Sequence, residues 1–335
     1  MLLKWLLWFP LSLVQWALCI VGAAALILAA MIATPVPPIS ELRSVSETAK
    51  AVDRSTMPAL EHFAARDGTT LAYRHYPARG PAAGPIAILV HGSSGSSPSV
   101  HALADGLAAH GVETFAPDIR GHGGSGTRGD IGYVGQLEDD MADLVALVRK
   151  SNPDAPITLL GHSAGGGFAL RIASSPIQNL FARTVLLAPY LGYDAPTNRP
   201  YSGNWASPDI PRLLALAALR TMGIDCCDAL PVLGFAVPPN SKDILVSAYS
   251  YRLMRNFATR GYRDDLAATT HPVSLIAGAD DELMLAGKYA EAVHAVAPKV
   301  DVKLIDGVNH MSLLSDPRAV SAIAEDVAKR GMAGT

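Results

Sequence analysis

The stretch LLGHSAGGGFAL, residues 159–170, places one serine among small residues straight after an apolar run. Gly161-His162-Ser163-Ala164-Gly165 has the spacing G-x-S-x-G. Before it lies ITLLG (157–161), which reads as a buried strand, and a small-residue helix is expected from about 164. This is the setting of a nucleophile elbow, a sharp strand-to-helix turn that lifts a serine Oγ clear of a sheet. Glycines two positions either side leave room for the turn. The amide of Ala164, at the positive start of a helix, would point at the reacting oxygen.

A serine hydroxyl is a weak nucleophile and needs a base. Among ten histidines, His310 in LIDGVNHMSLL follows the last predicted strand, at the same strand ends as Ser163. His91 and His162 adjoin motif glycines and are read as needed there for another purpose or as facing away. His122, in RGHGGSG, is read as a loop-packing residue. His62, His75, His101, His110, His271 and His294 have no supporting context and are read as surface or satisfied core side chains. The base in turn needs a carboxylate to fix its tautomer and stabilise its charged form. LIAGADDELM, after the next-to-last predicted strand, offers Asp280 or Asp281. The row Glu138, Asp139, Asp140 and Asp143 is read instead as the wet face of a helix.

The elements that must position these residues alternate along the chain. EHFAARDGTTLAYRHY predicts two strands around an Asp67-Gly68 turn. IAILVH (86–91), VETFAP (112–117), ITLLG, RTVLLAP (183–189), PVSLIAG (272–278) and VDVKLID (300–306) read as strands, several of them continuously apolar as in a sheet covered on both faces. Helices are expected near 98–110, in GQLEDDMADLVALVRKS, after 164, between the last two strands and after Asp316. Leu137, Met141, Leu144, Val145 and Val148 share one face of the second of these. Strand and helix in alternation predict a mostly parallel sheet flanked by helices. Residues 190–270 break the pattern with two apolar helical stretches, around 209–222 and 242–259, and are read as a helical cap insertion.

The order Ser163, Asp281, His310 is that of α/β-hydrolases. Residues 60–331 resemble that superfamily, and within it the monoacylglycerol lipase/lysophospholipase-like group, also called serine aminopeptidase-like. The matching pieces are LVHGSSG, DIRGHGGSG, GQLEDDMADL, GHSAGG, GADDELM and GVNH. The resemblance implies an α/β-hydrolase fold. Its G-x-x-D spacing, counted from Gly278, selects Asp281 over Asp280. It implies Ser163 as nucleophile, His310 as base, Asp281 as its orienting acid, and an oxyanion hole built from the amides of Ser93 and Ala164. No metal or organic cofactor is implied. The expected substrate is a small-molecule acyl ester, lipid-like in the manner of a monoacylglycerol or lysophospholipid. Short-chain esterase, thioesterase, amidase or aminopeptidase, and acyltransferase activity stay open on the same residues. So does a non-catalytic hydrolase-like protein that binds a lipid or partner.

The chain has 335 residues, half of them hydrophobic, and a formal net charge of −3. With no basic run, nucleic acid is not expected as a partner. Cys19, Cys226 and Cys227 give neither zinc spacing nor a disulfide framework, and the adjacent pair is read as two small apolar side chains. Between Lys4 and Glu41 there is no charged residue, and residues 11–33 are long enough to cross a bilayer. The run is too long for an ordinary signal-peptide core and lacks a clean cleavage site. Leu18 before Cys19 argues against a lipoprotein signal. Residues 1–33 are therefore expected to form a signal anchor, and 34–59 a proline-marked linker. Lys4 favours a cytoplasmic N-terminus and an exported catalytic part, although Arg43, Lys50 and Arg54 lie beyond the other end.

Overall fold

The computed structural model describes residues 2–80, 84–241 and 245–332. The helices α1 (Leu2–Ile32) and α2 (Arg43–Lys50) precede a hairpin of β1 (Glu61–Ala64) and β2 (Thr70–Tyr76). The chain continues through β3 (Ile86–Val90), α3 (His101–Ala109), β4 (Glu113–Pro117), α4 (Gln136–Ser151), β5 (Ile157–His162), α5 (Ala164–Ala173) and β6 (Arg183–Leu187). An insertion carries β7 (Ala206–Pro208), α6 (Ile210–Thr221), β8 (Pro231–Phe235), β9 (Ala248–Ser250), α7 (Tyr251–Asn256) and α8 (Tyr262–Ala267). β10 (Val273–Gly278), α9 (Tyr289–His294), β11 (Asp301–Ile305) and α10 (Pro317–Met332) complete the chain.

Eight strands form one sheet in the order β1-β2-β4-β3-β5-β6-β10-β11. From β4 to β11 every neighbour is parallel, and the β1-β2 hairpin adds antiparallel to β4. Every residue of β3, β5, β6 and β10 is buried, which is why these runs are apolar without alternation. Side chains such as Ile88, Leu89 and Leu159 are fully buried, each contributing roughly 1.5–3 kcal/mol of transfer free energy. β11 is a sheet edge whose outward positions carry Asp301 and Lys303, charges that discourage pairing with another strand. This is an α/β-hydrolase fold.

The insertion differs from the expected helical cap. α6 matches the stretch at 209–222, but the stretch at 242–259 holds a strand and the short α7. β7, β8 and β9 make a separate antiparallel sheet. These strands have three to five residues and carry Pro208, Pro231 and Gly234, so neither length nor periodicity signalled them. Cys226 and Cys227, in the stretch between α6 and β8, are exposed, not packed, with their sulfurs 3.2 Å apart.

The stretch 34–59 is not a free linker. It contains α2, whose Val45 and Ser46 are buried. Leu42, Val45 and Ala49 recur at helical spacing, which the surrounding prolines and polar residues masked. Upstream, Arg212 of α6 donates to the carbonyls of Ile32 (2.8 Å) and Thr34, filling acceptors that the end of α1 leaves open. Thr34 Oγ1 donates to Asp209, the cap residue of α6, at 2.8 Å. The window Leu13–Ile32 is long and apolar enough to cross a membrane, and none of it is buried.

The acidic row of α4 is only partly the wet face expected, since Asp140 is buried and all four carboxylates are paired. Asp140 accepts two bonds from Arg120 at 2.7 Å, both side chains nearly out of solvent. Asp139 and Asp143 accept from Arg66 in the hairpin turn. Glu138 accepts from Arg171 and Asn256, each at 2.6 Å. These pairs tie hairpin, helix and insertion together. Arg120→Ala strands the buried Asp140 charge and is expected to cost about 3–5 kcal/mol, read as a fall in the urea-unfolding midpoint. A loss below about 1 kcal/mol would mean that Asp140 is held by other means.

Candidate active site

β5 ends centrally in the sheet, and the chain turns at Ser163 with φ 56° and ψ −120° before α5 begins. A non-glycine residue is strained there. The turn is held from several sides. Ser163 N donates to Leu187 O at 2.9 Å, and Ser163 O accepts from the amides of Gly166, Gly167 and Tyr190. A Cβ at Gly161 would lie 2.1 Å from Gly165 O, and one at Gly165 would lie 2.3 Å from His91 O. Both contacts are with backbone, so neither can give way.

His310 and Asp281 come from the loops after β11 and β10. His310 Nδ1 donates to Asp281 Oδ2 at 2.8 Å, with both residues about 1% exposed. Asp281 Oδ1 accepts from the amides of Leu283 (2.8 Å) and Met284 (2.7 Å). Burial works against its charge, but His310 and these donors outweigh burial and hold its carboxyl below the usual 3.8. The bond at Nδ1 leaves the Nε2 lone pair of His310 as the basic position. Glu282 Oε2 accepts from His310 N at 2.9 Å, and His162 Nε2 donates to His310 O at 3.1 Å. Ser163, His162 and His310 line one cavity of about 90 Å³ with Ser93, Trp205 and Leu283. Asp280 makes a backbone bond to Val308 O, and it is Asp281 that reaches His310.

The loop after β3 sits directly on Ser163, since a Cβ at Gly92 would be 3.2 Å from Ser163 Cβ. The inserted segment holds this loop. Trp205 Nε1 donates to Ser93 Oγ at 2.8 Å. Ser94, at φ 66°, donates from N to Tyr249 Oη (2.8 Å) and from Oγ to Val246 O (2.6 Å). Tyr249 Oη in turn donates to His122 Nε2 at 2.6 Å, because His122 Nδ1 faces Ile119 O. His91 Nε2 accepts from Ile119 N at 3.1 Å, and its Nδ1 donates to Gly92 O at 2.8 Å. Among the described residues Ser93 N has no protein acceptor. Ala164 supplies the first amide of α5, a position helices leave open.

This is serine-hydrolase architecture. The family comparison agrees: residues 82–318, more than half of the chain, match serine aminopeptidase S33. The chain belongs to the S33 serine hydrolases. A monoglyceride lipase homologue of Monkeypox virus is 25% identical to this S33 chain over 242 residues, 67% of this chain and 81% of that protein. Mus musculus monoglyceride lipase is 32% identical over 133 residues, 39% of this chain and 43% of its own length. A soluble variant of Saccharomyces cerevisiae monoglyceride lipase with a substrate analog superposes with a TM-score of 0.63 at 18% identity, covering 83% of this chain and 96% of that one. At that identity the likeness is one of fold.

Sequence reasoning missed Trp205 and Tyr249, which carry no motif, Glu282, which stands within GADDELM beside the two aspartates, and Arg199, whose guanidinium donates to Asp281 O at 2.8 Å and Met284 O at 3.1 Å. It also missed the pocket wall from α2. His91 and His122 each have both ring nitrogens engaged, so His122 does more than the loop packing expected of it.

Burial depresses three histidines around the site below the ordinary 6.5, His91, His122 well below it and His162 to about 3, and it lowers His101 away from the site as well. As the pH falls through about 6.5 the unfolded chain takes up protons at these histidines while the folded chain resists them. The stability they lend is complete above about pH 6.5 and drains away as the pH falls toward their folded values, by up to ~1.4 kcal/mol per pH unit for each. Melting temperature is therefore expected to fall steadily from pH 7 to pH 5. A flat profile across that range would contradict these lowered values.

Proposed function

We propose that the chain is a membrane-tethered carboxylic-ester hydrolase for lipid-like monoacyl esters, with Ser163, His310 and Asp281 as its triad. The observation that supports it most is the buried Asp281–His310 bond beside the cavity that Ser163 also lines. In this reading Ser163 Oγ adds to the acyl carbon as His310 Nε2 takes its proton. The tetrahedral oxyanion lies against the amides of Ser93 and Ala164, each such donor contributing about 10²–10³ in rate. The C–O bond then breaks, and His310 passes the proton to the leaving alcohol. Water, activated by the same nitrogen, hydrolyses the acyl-serine and restores the free enzyme. Asp281 keeps the imidazole oriented and stabilises it while charged.

The apolar lining, with Trp205, Leu245, Leu283, Met311 and Leu314, supports an acyl chain, as does the likeness to monoglyceride lipases. A second reading is a short-chain esterase on the same residues, and a putative aryl esterase from Burkholderia cenocepacia shares the fold with a TM-score of 0.56 at 21% identity, covering 82% of this chain and all of that one. Purified protein with esters of graded acyl length separates the two by the length at which kcat/KM peaks. On the best ester, Ser163→Ala is expected to abolish turnover and fluorophosphonate labelling. Asp281→Asn should lower kcat by about 10⁴-fold, and Asp280→Asn far less. Labelling that survives in Ser163→Ala would overturn the assignment, and reversed aspartate effects would exchange Asp281 for Asp280.

Tethering is supported by the unburied apolar window of α1 and by exposed Ile210 and Leu214 on α6, the helix that α1 contacts, and Met222 just after it. The same composition also serves a signal sequence, so the mature terminus decides. We expect protein from carbonate-washed membranes to begin before residue 11, and the hydrolase domain to be open to protease on the exported face. A terminus after residue 33 would mean a cleaved signal. Protection on the cytoplasmic side would reverse the orientation.

A further inference from the structure

The cavity beside Ser163 is not closed by the hydrolase core alone. Val45, Ser46 and Ala49 of α2 line it, yet they lie outside residues 82–318, the part shared with the S33 family. α2 is fastened at both ends. Leu42 N donates to Ala236 O at 3.1 Å, and Ala236 itself lines the cavity. At the other end Arg54 donates to Ala49 O (2.7 Å), Val52 O (3.2 Å) and Pro98 O (3.3 Å), which joins the last turn to the segment before α3. Ser46 Oγ is spent on Glu41 at 2.5 Å. What α2 offers the cavity is therefore chiefly the methyl groups of Val45 and Ala49.

We propose that α2 is the end-stop of the acyl pocket, and that Val45 and Ala49 set the longest acyl chain that fits. The inference rests on the ester-hydrolase reading above. A helix held by hydrogen bonds at both ends is a wall that resists displacement by an oversized substrate. Interiors are packed densely enough that one methylene too many is felt. Each methylene accommodated gains up to about fourfold in binding, and the first one that meets α2 gains nothing.

The test uses the full-length protein in detergent micelles and p-nitrophenyl esters from acetate to palmitate. Val45→Ala is expected to move the optimum to longer chains and raise the long-to-short ratio of kcat/KM at least about fivefold. Ala49→Phe should move it to shorter chains and lower that ratio at least about tenfold. Because the readout is a ratio, a loss of folded protein cancels. The unaltered protein gives an independent measurement. An alkyl fluorophosphonate with a terminal diazirine, one or two carbons longer than the optimum, is attached to Ser163, photolysed and mapped by peptide mass spectrometry. Crosslinks within residues 43–54 are expected. Crosslinks confined to residues 205–245 or to Leu314, or variants that change every ester by one factor, overturn the end-stop while ester hydrolysis stands. An unaltered protein that neither labels nor cleaves any ester overturns the hydrolase reading and the end-stop with it.

Discussion

Backbone crowding at one turn governs the rest of the molecule. Between β5 and α5 the chain passes so close to itself that no Cβ fits at Gly161 or Gly165, and a Cβ at Gly167 would stand 2.4 Å from Tyr190 O. The close approach draws β3, β5, α5 and the chain leaving β6 into contact around Ser163. It forces the positive φ of Ser163, a strain of order 1–3 kcal/mol that the bonds to Leu187, Gly166, Gly167 and Tyr190 offset. Sheet order matters here because it sets β5 between β3 and β6, so the loops on either side are already close.

The inserted segment is part of this construction. Its first residues hold the loop that carries Asp281 through Arg199 and through Leu285 N, which donates to Thr197 O at 2.8 Å. Its later residues hold the loop after β3 through Trp205, Val246 and Tyr249. The two loops that face Ser163 are thus joined to each other by way of the insertion as well as through the sheet. Moving the insertion as a rigid flap would break hydrogen bonds at both.

The sheet and the elbow were legible in the sequence because their causes are local. A strand covered on both faces must be apolar throughout, and glycines at 161 and 165 mark a turn without room. The convergence of Ser163, His310 and Asp281 on one edge was legible too, since each follows a strand of one parallel set and parallel strands end together. Other features depend on partners far along the chain. Asp140 looks like a surface residue until Arg120 is beside it. The strands at 206–208, 231–235 and 248–250 are too short to show a period. Residues 34–59 have linker composition, and only the spacing of Leu42, Val45 and Ala49 hints that they pack.

The two bonds of His91 have an electronic consequence. Gly92 C=O and Ser93 N–H belong to a single peptide unit, so a proton given to the carbonyl by His91 Nδ1 withdraws electrons from the amide on the other side. His91 is itself polarised in the same sense by the Ile119 amide at Nε2. Peptide, imidazole and peptide thus form a series of dipoles aligned head to tail, each reinforcing the next, which ends at the amide proposed to meet the oxyanion. The sense of the series cannot reverse. A second proton on His91 would set two N–H groups facing each other at Ile119, so the ring transmits polarisation while staying uncharged. The strength of one hydrogen-bond donor beside Ser163 is in this way adjusted from residue 119, which does not line the cavity.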